Sequence, residues 1–323
     1  MEKSCDIKSR LHRFEGDISG IALPRSFGDP FRAEPHALVS RAAELVLPRL
    51  GAIAALAEGK MMGVLVVRDD AGELAYLAAY SGDVACTEAQ RAYFVPPLLD
   101  LDEPGGFYER LDAEVMRVDR LIREVEGSAT LRRAVAEAGA ARERAEQAIA
   151  GQKERNRQAK HQREEQRAAG ADAAALVRES QYERAELKRL RRRLLQPVEA
   201  LEAQIAGYER DVERLKQQRR MMSEAVQREI FALTRVLNAR GEQHSLLQIF
   251  EGLPPSGAGS CAAPKLLQYA FAQGLAPLAM GEFWYGAPLG GRQQGRFYPS
   301  CESRCRPILG FMLQGVERYF TRS

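Results

Sequence analysis

The sequence contains few aromatic residues, few cysteines and no long hydrophobic run. Aromatic residues make up 7% of the chain and charged residues 28%, a balance that favours long solvated helices. No apolar run is long enough to span a bilayer, so the sequence predicts no membrane partner. The five cysteines are an odd number and no signal peptide is evident, which predicts a reducing, cytoplasmic setting without a disulfide framework.

The basic residues are unevenly distributed along the chain. The formal net charge is +3, yet residues 151–193 contain 13 lysines and arginines against seven acidic residues. Clustered basic side chains bind nucleic-acid phosphates by releasing counterions, which favours an RNA-binding surface. The alternative is a solvated helix surface, because acidic residues are mixed among them. The candidates for nucleic-acid contact are Arg155, Arg157, Lys160, Arg163, Lys188, Arg189, Arg191, Arg192 and Arg193.

Three cysteines near the C-terminus fall at the predicted starts of two helices. Cys261 follows a Gly/Ser-rich turn and opens the first helix, whereas Cys301 and Cys305 open the second. A strand is predicted between the helices, over Pro277–Trp284. Because a helix N-terminus lowers the pKa of a thiol, these cysteines should favour the thiolate. Three thiolates from two helix starts predict a site for one soft cation such as zinc.

The predicted metal site has an undetermined fourth ligand and a set of candidate pocket residues. His244, Cys86 and solvent are the candidates for the fourth position. Cysteine is also among the most buried residue types, so three buried thiols without metal are the alternative. The residues that we expect to line a pocket near the metal are Lys265, Glu282, Trp284, Arg292 and Arg296.

The two ends of the chain have the pattern of one mixed α and β domain. Pro35–Ala57 has helical periodicity, and the apolar runs Lys60–Arg68 and Glu73–Tyr80 predict a β-hairpin. Because both runs are almost continuously apolar, both faces of the hairpin should be buried. We therefore expect residues 1–108 and 242–323 to form one globular domain of class α+β or α/β.

The middle region, residues 109–241, has the heptad pattern of an antiparallel coiled-coil hairpin. Pro197 should kink the second limb or mark a helix start, the chain should reverse at residues 168–172, and Gly241 should cap the end. The first limb follows the apolar positions Leu111, Val115, Val118, Ile122, Val125, Leu131, Val135 and Ala138. The second follows Leu194, Val198, Leu201, Ile205, Tyr208, Val212, Leu215, Met222 and Val226.

Eight segments spread over most of the chain point to a family. They are GKMMGVLVVR, GELAYLAAYSG, YFVPPLLDL, ALVRESQYERAELKRL, LNARGE, PPSGAGSCAAPKLLQYA, LAPLAMGEFWYG and FYPSCESRCRPILGFML. Together they resemble the N-terminal region of a long form of RluA-type RNA pseudouridine synthases, in which this region precedes the catalytic domain. The resemblance implies ribosomal RNA or tRNA as a partner, together with a pseudouridine synthase catalytic domain or subunit. It also implies that the uridine-isomerising aspartate is missing, so the chain should be inactive alone.

The order of elements also resembles the zinc-dependent deaminase fold. In that fold the first metal helix carries H-x-E or C-x-E and the second carries P-C-x-x-C. Cys261 matches the first ligand, and Cys301 with Cys305 matches the pair. Two features depart from the pattern: Ala263 stands at the position of the glutamate, and the cysteine pair is one residue too wide. A deaminase function would then require a displaced acid/base group.

Three functions therefore remain open at the level of the sequence. The first is a non-catalytic, RNA-binding and substrate-positioning region of a pseudouridine synthase. The second is a divergent zinc deaminase-like enzyme, and the third is a coiled-coil adaptor for protein partners. Salt-dependent RNA binding separates the first from the third, and ammonia release from cytidine or adenosine separates the second from both.

Overall fold

The computed structural model describes residues 10–101 and 106–320, which fall into two compact units. The globular unit comprises Met1–Glu109 and Ala225–Ser323, and the helical unit comprises Arg110–Glu224. The globular unit is thus built from two chain segments, with the helical unit between them in sequence.

Helices supply most of the regular secondary structure. The α-helices are α1 (Ala37–Leu50), α2 (Glu88–Arg91), α3 (Phe107–Glu126), α4 (Ala129–Ala168), α5 (Ala173–Leu233), α6 (Leu246–Ile249), α7 (Ala262–Ala272) and α8 (Cys305–Met312). The strands are β1 (His12–Arg13), β2 (Lys60–Arg68), β3 (Leu74–Tyr80), β4 (Arg235–Leu237), β5 (Gln243–Ser245), β6 (Ala276–Tyr285) and β7 (Phe297–Tyr298). Among the helices in the described ranges, none is both long and apolar enough to cross a membrane.

The globular unit is organised around a five-stranded sheet with the order β1-β3-β2-β6-β7. All neighbouring strands are antiparallel, and the central strand β2 pairs with β3 on one side and β6 on the other. The sheet therefore joins the two chain segments, because β6 follows the helical unit in sequence. The fold is mixed α+β, and the α/β alternative does not apply because it requires a mostly parallel sheet.

Helices cover both faces of the sheet. Val64 and Val66 of β2 belong to a core that also contains buried residues of α1, whereas Leu65 and Val67 belong to a second core with α7 and α8. This alternation follows from the two-residue period of a strand and explains the nearly continuous apolar runs. As a consequence, α7 and α8, at whose starts the three cysteines lie, pack against the same face.

Gly63 allows α7 to lie close to the sheet. A Cβ atom at this position would be 2.8 Å from the Cβ of Ala262 and 3.0 Å from Cδ1 of Leu266. The first of these separations is shorter than any normal carbon–carbon contact, so a larger residue would push the start of α7 outward. Because Cys261 precedes Ala262 directly, Gly63 also fixes the depth of the cysteine site.

We expect Gly63→Ala to lower the free energy of unfolding of the globular unit by about 1–3 kcal/mol, because the added methyl group overpacks the contact with α7. Gly310→Ala is the matched control, since Gly310 lies in α8 with open space around it. The control should raise stability by about 0.5–1 kcal/mol through helix propensity. Urea unfolding of both variants measures the difference, and equal effects would contradict the close approach of α7.

The helical unit contains α3, α4 and most of α5. Ser128 separates α3 from α4 and caps α4 by accepting the N–H of Leu131. The chain reverses between Ala168 and Ala173, where Gly170 has φ of +86°. The ion pairs between the two limbs run in antiparallel order and are Asp119–Arg219, Glu126–Lys216, Arg142–Glu202 and Arg163–Glu183.

The structure does not show the coiled-coil hairpin that the heptads predict. The buried residues of α4 are the small alanines Ala134, Ala138 and Ala145. Ala138 is buried as the heptads predict, but Val135, the larger predicted seam residue beside it, is 51% exposed. Interlocking of a heptad seam requires large side chains at these positions. Pro197 lies inside α5 and does not start a helix.

Two further predictions are corrected by the structure. Gly241 does not cap the long helix, which ends at Leu233. It lies instead in the turn between β4 and β5, where the Asn238 side chain accepts the N–H groups of Arg240 and Glu242. A deaminase layout is not shown either. The order helix, hairpin, helix, strand, helix is present, but the paired strands in the described residues are all antiparallel.

Candidate functional site

The thiols of Cys261, Cys301 and Cys305 converge in the globular unit. Their sulfur atoms all lie within 4.8 Å of one another. The Sγ atoms of Cys261 and Cys301 are 3.9 Å apart, and those of Cys301 and Cys305 are 3.3 Å apart. Cys305 is buried, Cys261 is half-buried and Cys301 is exposed. The cluster is therefore accessible from one side.

The starts of two helices hold the thiols together. Cys261 is the N-cap of α7, and Cys305 is the first residue of α8. The N–H of Ala262 donates to Oγ of Ser81 at 3.2 Å, which ties the start of α7 to the segment after β3. The N–H of Cys305 donates to the carbonyl oxygen of Cys301 at 3.2 Å. Because α7 and α8 share one core, the fold itself brings the three thiols together.

The thiols alter one another's ionisation. A hydrogen bond with the Cys305 thiol lowers the pKa of Cys261, although burial acts in the opposite direction. The same hydrogen bond, together with burial, raises the pKa of Cys305. Cys261 is therefore the thiol of this pair that ionises first.

The separations between the sulfur atoms fit a metal ion that prefers sulfur ligands. Tetrahedral coordination with metal–sulfur distances of about 2.3 Å places the sulfur atoms about 3.8 Å apart. The observed distances of 3.9 Å and 3.3 Å lie close to this value. The three cysteines could therefore hold a metal ion after small side-chain adjustments.

The fourth ligand is not supplied by the two protein candidates. Among the described residues, the candidate ligand group consists of the three cysteines, and neither His244 nor Cys86 belongs to it. The imidazole of His244 stacks on Phe311 instead, with 4.5 Å between the ring centroids. Solvent or a bound molecule is left as the candidate for the fourth position.

Glu282 places a buried carboxyl group next to the cysteine cluster. Glu282 is 5% exposed, and its Oε1 accepts the N–H of Ala263 at 3.4 Å. Its Oε2 accepts the hydroxyl of Ser300 at 2.6 Å. Burial raises the pKa of Glu282, and these two hydrogen bonds oppose the shift. Ala263 is two residues after Cys261 and Ser300 directly precedes Cys301, so the carboxyl group contacts residues close in sequence to two candidate ligands.

A cavity of about 390 Å³ extends to Glu282 from the edge of β6. Gly281, Glu282 and Phe297 form its wall on the side of the sheet. The segment before α1 also lines the cavity, with Ser26, Asp29, Arg32, Glu34 and His36. The cavity is lined by polar groups of both charges around one buried carboxyl group.

Lys265 is buried at the start of α7. Its Nζ donates to the carbonyl oxygens of Tyr80 and Gly82, at 3.1 Å and 2.9 Å, and lies 5.1 Å from the centroid of the Tyr80 ring. Burial lowers the pKa of Lys265 to about 8. These contacts connect α7 to the end of β3, so the lysine has a clear structural role beside the cysteines.

The other three pocket candidates lie along β6 and the loop that follows it. Trp284 is buried and its Nε1 donates to the carbonyl oxygen of Ala287 at 2.8 Å. The guanidinium group of Arg292 lies 5.5 Å from the centroid of the Trp284 ring, and both Arg292 and Arg296 are exposed. The five candidates thus have different surroundings, and Glu282 is the one that lines the cavity described above.

The nine basic candidates of the helical unit differ in their contacts. Four have acidic partners, in the pairs Arg157–Glu154, Lys160–Glu164, Arg163–Glu183 and Arg189–Glu186. Of these, Arg163 is the most enclosed, with 11% of its side chain exposed. Within the described part of the chain, five others have no acidic partner and are exposed, namely Arg155, Lys188, Arg191, Arg192 and Arg193.

Comparison with protein-family models, curated proteins and solved structures gives no match. The sequence pattern identified the cysteines and the basic residues, but the contacts of Glu282 with Ala263 and Ser300 join residues that are distant in sequence. No local pattern could have indicated them.

Proposed function

We propose that this chain is a non-catalytic RNA-binding region that positions RNA for a pseudouridine synthase of the RluA type. The observation that carries the proposal is the set of exposed basic side chains on α4 and α5 that have no acidic partner within the described ranges. Such side chains bind a phosphate backbone through counterion release, whereas paired ones contribute less. We exclude Arg163 from this surface because Glu183 already binds its guanidinium group.

The RluA-type association is supported by the sequence segments that resemble that family. A positioning region contacts phosphates and leaves the recognition of the target base to a catalytic domain. Ribosomal RNA or tRNA is the partner in this proposal, and a catalytic domain or subunit is the second partner. The reduced thiols of the globular unit suit a cytoplasmic location.

In the same proposal the cysteine cluster holds zinc as a structural ion. The supporting observation is the convergence of three sulfur atoms from two helix starts within 4.8 Å. Thiolates are preferred zinc ligands, and a metal bound to them would connect α7 directly to α8. Residues of α7 and of α8 belong to the same core, so the ion would stabilise the globular unit.

The RNA-binding proposal is tested with the triple substitution Arg191→Glu, Arg192→Glu and Arg193→Glu. We expect labelled tRNA or ribosomal RNA fragments to bind the triple variant at least about tenfold more weakly than the wild type, with a flatter dependence on salt. The three side chains are exposed, so folding should be unchanged, and circular dichroism checks this. Absence of RNA binding by the wild type at low salt would overturn the proposal and favour a protein adaptor.

A second candidate is a divergent deaminase-like enzyme, and one observation favours it. Ala263 leaves the helix without a glutamate, but the carboxyl group of Glu282 accepts the Ala263 N–H from the neighbouring strand. A metal held by the three thiolates would supply a Lewis acid, and Glu282 would hold the proton that hydrolytic deamination must move. Ammonia release from cytidine or adenosine by the zinc-loaded protein would favour this candidate over the first.

A further inference from the structure

A groove between α4 and α5 in the helical unit is lined by arginines from both helices. Its volume is about 700 Å³. From α4 it is lined by Gln147, Ala148, Gly151, Gln152 and Arg155, and from α5 by Glu186, Arg189, Leu190 and Arg193. Both sets have the three- and four-residue spacing of a single helix face. Ala148 and Gly151 have almost no side chain, which leaves the space open.

Contacts between the helices flank the groove in sequence. The ion pair Arg142–Glu202 joins the helices on one side of it, and Arg163–Glu183 joins them on the other. In addition, Asn156 donates from Nδ2 to the carbonyl oxygen of Glu183. The groove therefore lies between two points at which α4 and α5 are in contact, and both helices contribute arginines to it.

The groove has an excess of positive charge. Three arginines face it, and one carboxylate, that of Glu186, forms an ion pair with Arg189 at 2.7 Å. Arg155 donates to the neutral amide oxygen of Gln152. Among the described residues, Arg193 makes no ion pair. Like charges around a common space repel one another, and a bound anion removes this repulsion.

We infer that this groove binds a phosphate group of the RNA backbone, with Arg155 and Arg193 as its principal contacts. The inference rests on the RNA-binding function proposed above and identifies where the RNA lies. Guanidinium groups suit this task because they bind phosphate oxygens in a bidentate manner and remain charged at all physiological pH values. Because Arg155 and Arg193 line one groove from two different helices, both can contribute to the binding of one phosphate.

The test compares two double variants with the same change of charge. Arg155→Gln with Arg193→Gln alters the groove, and Arg144→Gln with Arg210→Gln alters exposed positions on the same helices that belong neither to the groove nor to the basic candidates. Binding of a labelled hairpin RNA is measured by anisotropy over a series of salt concentrations. We expect the groove variant to bind at least about tenfold more weakly and to lower the salt slope by about one, because the two arginines contact one phosphate. The control variant should change affinity less than about threefold.

The outcomes separate the groove from the wider function. If the wild type binds RNA and the two double variants weaken binding equally, the groove inference fails while the RNA-binding function stands. If the wild type does not bind RNA, the proposed function fails, and the inference fails with it. A separate competition experiment adds inorganic phosphate to the complex of the wild type with labelled RNA. If free phosphate releases the RNA at a concentration equal to that of the phosphate groups in the RNA, the groove is a site for a free anion and the RNA assignment is overturned.

Discussion

Replacement of Cys301 by serine should abolish stoichiometric metal binding. We expect the purified wild type to contain about one zinc ion per chain and Cys301→Ser to contain almost none. Loss of an outer-shell partner alone lowers metal affinity by 10–100-fold, so loss of a ligand should cost at least about 100-fold. Cys301 is the exposed member of the cluster, and its substitution disturbs the core least. Elemental analysis of both proteins measures the effect.

Cys86→Ser is the matched control for this experiment. Cys86 is half-buried, like Cys261, but it lies outside the cluster of three thiols. The control should retain its zinc, and a chelator should lower the melting temperature of the control and the wild type while leaving Cys301→Ser unchanged. This pattern follows because an ion that binds only the folded state stabilises it. A wild type that takes up no metal from added zinc under reducing conditions would refute the metal site.

The three thiols differ in burial. Cys305 is buried in the core with α7, whereas Cys301 lies in the exposed segment before α8. Sulfur contacts connect Cys301 to Cys261 and to Cys305, and the hydrogen bond with Cys261 together with burial raises the pKa of Cys305. Coordination requires thiolates, so zinc binding should release protons and become weaker as the pH falls.

The sequence allowed the globular unit to be predicted because its signals are local and strong. The runs at β2 and β3 are apolar at nearly every position, since both faces of the sheet are covered, and such runs have few other interpretations. Cys261 and Cys305 lie at helix starts as expected. The prediction that Gly241 caps the long helix was wrong, because a glycine with positive φ suits a helix end and a hairpin turn equally well. Here the side chain of Asn238 stabilises the turn by accepting two backbone N–H groups.

The helical unit was predicted less accurately because heptads do not specify a partner. Val135 fits the periodicity of the first limb, yet it is 51% exposed, because the register between the limbs places alanines of α4 on the buried side. That register is associated with ion pairs between residues far apart in sequence, such as Arg142–Glu202. The groove depends on the same register, so the sequence indicated its arginines but not that Arg155 and Arg193 line the same groove.

The buried lysine leads to the last prediction, which concerns stability at alkaline pH. Burial lowers the pKa of Lys265 to about 8 in the folded protein, whereas an unfolded lysine has a pKa of about 10.4. Between these values the unfolded state binds more protons than the folded state. Because stability rises with pH wherever that is true, the free energy of unfolding should increase by roughly 3 kcal/mol across this window. Below about pH 8 the lysine is charged in both states, so it does not make the free energy of unfolding depend on pH.

Lys265→Met isolates this contribution, because all other ionisable groups are common to both proteins. The variant leaves the carbonyl oxygens of Tyr80 and Gly82 without their donor, which lowers stability by an amount that does not depend on pH. The gap between wild type and variant should therefore widen from pH 8 to pH 10.4, as measured by urea unfolding. Lys60→Met, in the same unit, should keep most of the wild-type rise. If the difference in the free energy of unfolding stays constant over this range, Lys265 is not desolvated in the folded protein. That result would contradict the close packing of α7 against the end of β3.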